Sequence, residues 1–181
     1  MTLTVISPPG EEALPLAEVK AFLRIGHDGE DGLVTKLAAG AEARLEEASG
    51  LALVTRTLRR SWTAWPSALW RRGIALRPGP VGTLLAVRIL EADGIEMDVT
   101  GRFALTEGRL HLKAAQVCPL VSIGGRIEVD FETGFGDADD IPGDLLQALK
   151  ALLLAAYARD GGTAMPEAAQ AVIAARREVR L

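Results

Sequence analysis

This 181-residue chain reads as an α+β fold: helices packed with a small antiparallel β-sheet region, plus a protruding C-terminal helical arm. Three observations predict it. Apolar residues recur at helical spacing before Gly50. From Leu53 to Phe131 the pattern changes to short β-rich runs broken by Gly and Pro turn signals. After Pro142 a leucine-rich stretch restores the helical period. Strands gathered in one block, away from the helices, point to α+β rather than to alternating βαβ units.

The elements follow in order. Leu16, Val19, Phe22 and Leu23 share a helical face, and Pro15 suits the start of that helix. Gly26–Gly32 is a turn. A second helix is expected over Asp31–Ser49, with Leu33, Val34, Leu37, Ala41 and Leu45 as its apolar stripe and Glu42, Arg44, Glu46 and Glu47 off it. Gly50 is a natural stop. Leu53–Trp65 is rich in Val, Thr, Leu and Trp and reads as β. Leu84–Glu91 and Ile95–Val99 flank Asp93-Gly94, a strong hairpin signal. Phe103–Leu105 and Arg109–Leu112 flank Glu107-Gly108, a weaker one. Ile127, Val129 and Phe131 alternate with Glu128, Asp130 and Glu132, which predicts one dry face and one wet face.

Gly134 and Gly136 then turn the chain, and Asp137, Asp139, Asp140, Pro142 and Asp144 lead into the last long helix. Its buried stripe is Leu145, Leu146, Leu149, Leu152, Leu153 and Tyr157, and Asp160-Gly-Gly162 ends it. A final segment, Glu167–Leu181, carries a narrow stripe of Ala169, Val172 and Ile173, with Arg176, Arg177 and Arg180 at its end. The expected division is a core over 1–162 and an arm over 163–181.

Composition narrows the function classes. An apolar fraction of 49% supplies a core, but aromatics are only 4%, so aliphatic residues and alanine must fill it. The single cysteine, Cys118, excludes an internal disulfide and a cysteine metal cluster, which suits a reducing cytoplasm. Met1–Gly10 has no basic region and no long apolar run, so no secretory signal is read there. No stretch approaches the ~18 apolar residues of a membrane span. The net charge of −4 hides an asymmetry: between Ala48 and Leu90 there is no acidic residue, but there are seven arginines and all three tryptophans. Arg59, Arg60, Trp62, Trp65, Trp70, Arg71 and Arg72 are therefore candidate anchors of a subunit or partner interface, since Trp and Arg dominate binding hot spots. Solvated strand faces and core-filling tryptophans are the plainer reading. A nucleic-acid-binding module using the band 56–77 is another.

No constellation completes a chemical site. His27 and His111 have no metal-motif spacing, and Cys118 has no identifiable base. Gly134, Phe135 and Gly136 resemble a phosphate loop, but the lysine and hydroxyl residue of a P-loop are missing and acids follow. An EF-hand loop counted from Asp137 would place glycine and glutamate where Pro142 and Ala148 stand. These acids suit a helix start instead, each contributing about 0.3–1 kcal/mol near the positive end of the helix dipole. A hydrolase built on paired carboxylates lacks the remaining groups.

Taken together, four segments resemble the head–tail connector (adaptor) family of tailed phages and phage-derived gene transfer agents. Leu14–Ile25 looks like its opening helix. Ala38–Gly50 followed by Leu53–Leu58 looks like its second helix running into a strand. Val129–Gly136 with Ile141, Pro142 and the leucine-rich helix looks like its most recognisable element. Pro166–Leu181 looks like its C-terminal arm. The chain departs from the family in having few aromatics near the end of the long helix. The resemblance implies a non-enzymatic protein without cofactor, metal or membrane. It would be made in the bacterial cytoplasm and located at the head–tail junction of a virion or gene transfer agent particle. It would form a homo-oligomeric ring, typically of twelve copies, beneath the portal protein. That ring would join the portal to stopper or tail terminator proteins and leave a channel for DNA without sequence specificity. The arm would dock on the portal, which nominates Val172, Ile173, Arg176, Arg177 and Arg180.

Overall fold

The computed structural model describes residues 1–158 and 164–176. The chain forms two compact units: a β unit of Met1–Pro9 and Thr55–Gly134, and a helical unit of Gly10–Val54 and Phe135–Leu181. The expected boundary between residues 162 and 163 lies outside the described residues.

The β unit holds eight strands: β1 (Thr2–Ser7), β2 (Arg56–Trp62), β3 (Ile74–Ala75), β4 (Val81–Leu90), β5 (Glu96–Asp98), β6 (Phe103–Thr106), β7 (Arg109–Leu112) and β8 (Arg126–Thr133). A five-stranded sheet has the order β1-β2-β8-β4-β5, and a three-stranded sheet the order β3-β7-β6. All pairings are antiparallel. The last strand in sequence is thus the central strand of the larger sheet. Its residues Ile127, Val129 and Phe131 are fully buried, with Leu58, Trp62, Val87 and Ile89 from β2 and β4. Ile74, Phe103 and Leu110 of the smaller sheet complete this core. Burying these side chains supplies the main stabilisation, about 1.5–3 kcal/mol for each large one.

Both hairpins form where expected. Glu91 N–H donates to Ile95 O across Asp93-Gly94 (2.8 Å), and β6 and β7 pair across Glu107-Gly108. The block read as β from Leu53 is shorter: Leu53 and Val54 are buried among the helices, and β2 begins at Arg56. β1 was not expected. It is an edge strand with all six residues exposed, so it lacks the alternation of wet and dry residues that marks a half-buried strand.

The helical unit contains α1 (Leu16–Leu23), α2 (Asp31–Ser49), α3 (Gly143–Tyr157) and α4 (Glu167–Arg176). The bounds of α1 and α2 are those the periodicity predicts. Gly50 closes α2 in the left-handed region (φ 72°), where its N–H donates to Glu46 O; a side chain there would be strained. Along α2 the buried stripe is Val34, Ala38, Ala41, Leu45 and Ser49. Leu33, expected on it, is exposed. On α3, Leu145, Ala148, Leu149, Leu152 and Leu153 are buried. Leu146 and Tyr157 pack at the margin of the same core, and the Tyr157 hydroxyl donates to Glu30 Oε2 (2.9 Å). Among the described residues, no helix is long and apolar enough to cross a membrane.

Candidate assembly surfaces

In the β unit the arginine band meets the acids of β8. The register places Arg59 opposite Asp130 and Arg88 opposite Glu128. Directly paired residues share a face of the sheet. Arg59 grips Asp130 through Nε (2.7 Å) and Nη2 (2.9 Å), and its Nη1 reaches Glu128 Oε2 (2.9 Å). Arg88 Nη2 also pairs with Asp130, its Nε lies 3.5 Å from Glu96, and Arg126 Nε donates to Glu128 (2.7 Å). The hydrogen bonds Arg59 donates to Asp130, with the charges of Asp130 and Glu128, raise its guanidinium above its ordinary pKa.

This network corrects the expected wet face. Glu128 and Asp130 are only 5% and 8% exposed, covered by arginines that arrive from β2 and β4. Part of the apparent basic band is therefore matched by acids within the same sheet.

The named band residues separate into three groups. Arg59 is held in the ion network. Trp62 is buried in the core, and Trp65 stacks on Phe103 (centroids 4.9 Å apart) while its Nε1 donates to Pro119 O (2.9 Å). Arg60 stands opposite Val129 on the core face, and burial, followed by the charge of Arg77, lowers its pKa. Trp70, 61% exposed, ends a 3-10 turn at Ser67–Trp70, and the exposed Arg71 and Arg72 follow it. Only these three present themselves outward together.

Sequence reasoning missed two apolar surfaces. The loop between β7 and β8 exposes Val117 (77%), Leu120 (90%) and Ile123 (100%). The outer strand β1 exposes Leu3, Val5 and Ile6. The loop's signal was present in the sequence, because 114–124 is an uncharged, largely apolar run with Pro119 inside it.

In the helical unit, Ala169 and Ile173 of α4 are buried and Val172 packs beside them. Arg176 makes a two-pronged pair with Asp144 of α3 (both contacts 2.6 Å). The expected C-terminal helix is thus present, and in place of a free-standing arm it lies folded on its own unit. Arg177 and Arg180 fall outside the described residues, as does Asp160-Gly-Gly162.

The acidic run starts structure, as read. Asp137 and Asp140 cap the 3-10 turn Ala138–Asp140 reciprocally, and Glu11 accepts from Ala138 N–H (2.6 Å). Pro142 caps α3, one residue before the position expected, and Asp144 lies in the first turn. Among the described residues no three His, Cys, Asp or Glu side chains converge to hold a metal ion. His111 packs its ring against Gly73, and burial pushes the Cys118 thiol up from its ordinary pKa.

No protein-family model matches this sequence, and no curated protein does. Solved structures do. A chain of the neck of an empty GTA particle computed with C6 symmetry is 33% identical, with a TM-score of 0.83. A chain of the virion of a native gene transfer agent (GTA) particle is 33% identical with a TM-score of 0.85. A chain of the neck of a native GTA particle computed with C12 symmetry is 32% identical with a TM-score of 0.81. Each likeness covers 100% of this chain and 97% of the other. A match of this identity along the whole length, on the architecture and segments described, shows that the chain belongs to the head–tail connector (adaptor) family of tailed phages and phage-derived gene transfer agents.

Proposed function

We propose that this protein is a structural, non-enzymatic subunit of the particle neck, an adaptor that forms a ring under the capsid portal and joins it to stopper or tail proteins around a DNA channel. The observation that carries this reading is the full-length likeness to a chain of a gene transfer agent virion and to chains of two neck structures, computed with sixfold and twelvefold symmetry. Exposed apolar side chains with no partner in the β unit, at Val117, Leu120 and Ile123, support a protein that completes its surface by assembly.

The portal contact is assigned to the C-terminal segment, with Val172, Ile173, Arg176, Arg177 and Arg180. Ile173 and Arg176 have intramolecular partners, so docking requires them to exchange partners. The cost is modest. Burial of Ile173 contributes about 2 kcal/mol, and a pair as open as Arg176–Asp144 about 0.5 kcal/mol. A portal surface that buries the same helix more deeply outcompetes this.

The test is mass measurement of the full chain and of a truncation at Gly162, alone and with a portal ring, beside a thermal melt. Full chains should load the portal ring and truncated chains should not. Portal loading by a folded truncation would overturn the arm assignment. The alternative, a nucleic-acid-binding module, draws on Trp70, Arg71 and Arg72 in place of the whole band. Strong salt-dependent DNA binding by the monomer would favour it.

A further inference from the structure

The two outer strands of the five-stranded sheet carry apolar side chains on the same face. On β1, Leu3 stands opposite Arg60 and Val5 opposite Leu58. On β5, Met97 stands opposite Ile89. Leu58 and Ile89 belong to the core face, so Leu3, Val5 and Met97 extend that face past both margins of the sheet. All three remain close to half exposed, as do Ile6 at the β1 bulge and Ile95 beside β5.

Natural sheets guard such edges with charges, proline or very short strands. β1 has six residues, none charged and none proline. On β5 the two acids lie on the other face and are engaged there. Glu96 faces Arg88 at 3.5 Å, and Asp98 accepts from Thr100 N–H at 2.7 Å. β5 is short, at three residues, but its apolar margin at Ile95 and Met97, like that of β1, stays exposed.

We infer that β1 of one copy pairs with β5 of the next, so that the five-stranded sheets join edge to edge into one continuous band. The partner is a second copy because the sheet itself supplies both halves of the contact. One edge offers Leu3, Val5 and Ile6, and the opposite edge offers Ile95 and Met97. A contact between unlike surfaces leaves a joined pair with one free edge of each kind. It therefore propagates head to tail and closes when the rotation permits. Strand addition supplies main-chain hydrogen bonds for affinity and alternate side chains for register. This inference rests on the ring reading above and names the surfaces that make the ring.

The experiment uses full-length chains, one with the β1 edge blocked by Val5→Lys and one with the β5 edge blocked by Met97→Lys. Assembly is followed by native mass spectrometry and folding by thermal melts, alone and on a portal ring. Each variant alone should lose closed oligomers while melting like the wild type. An equimolar mixture should give one-to-one dimers and nothing larger, because each partner contributes its one intact edge. Those dimers also report that both variants are folded, and Leu3→Lys with Ile95→Lys repeats the test with different side chains. Closed oligomers from either blocked variant, or mixtures that stay monomeric, would overturn the edge pairing while leaving the ring reading intact. A wild-type chain that never closes, alone or on the portal, overturns the ring reading and this inference with it.

Discussion

At the scale of single residues, Asp130 is the most consequential polar group described. It stands beneath both Arg59 and Arg88 and is nearly buried. Asp130→Asn keeps the shape but leaves two partly covered guanidinium groups short of a counter-charge. Breaking one member of a buried ionic cluster costs about 3 kcal/mol, and urea unfolding of the variant should show a loss of that size. The tryptophans separate as sharply. Trp65→Ala removes a ring stacked on Phe103 and a hydrogen bond to Pro119, for a cost of about 3 kcal/mol. Trp70→Ala removes a ring that faces solvent, and its melting curve should match the wild type within about 0.5 kcal/mol.

At the scale of elements, local signals were legible in the sequence and long-range ones were not. The bounds of α1 and α2 and both hairpins follow from periodicity, Gly50, Asp93-Gly94 and Glu107-Gly108, whose effects act within a few residues. The burial of Glu128 and Asp130 could not be read this way, because Arg59 and Arg88, which cover them together with the nearby Arg126, arrive from β2 and β4. The β1 strand escaped because its exposure on both faces leaves no pattern. The turn before α3 was legible as a joint, and it sets a prediction. Gly136 has φ 136°, and a Cβ there would overlap the Asp140 side chain. Gly136→Ala should therefore destabilise by about 1–3 kcal/mol. Gly40 lies in α2 with open space around it, so Gly40→Ala should stabilise by about 0.5–1 kcal/mol in the same denaturation assay.

The Arg176 pair between α3 and α4 has a pH signature. The hydrogen bond from Arg176 lowers the Asp144 pKa in the folded protein. A lowered folded-state value means that the pair's stabilisation is fully present above the unfolded carboxylate value of about 4. It is lost as pH falls through the lower folded value. Wild type and Asp144→Asn should thus differ by about 0.5 kcal/mol at neutral pH, and that difference should vanish in acid. A difference that persists in acid would show that charge does not hold the two helices together.

At the scale of the molecule, two cores and several open surfaces describe a chain whose stability and assembly are separable. The loop carrying Leu120 and Ile123 tests this directly. Replacing both with Ser touches no buried contact, so the melting temperature should hold within about 2 °C. If the loop is an assembly contact, the fraction of chains in closed oligomers, read by light scattering, should fall. Normal assembly would assign it to another partner.

The order of the strands carries one more consequence, for synthesis. Arg59 and Asp130 are 71 positions apart, and the strand that joins β2 to β4 is the last one made. The two hairpins form on local contacts within microseconds, but the wide sheet waits for its centre, and such distant pairings are slow to close. A chain that ends before Arg126 has a β1 segment but no five-stranded sheet to place it at an edge. Under edge-to-edge joining, only a translated and folded subunit has two ends to offer, so a truncated product is excluded from the ring by its own topology.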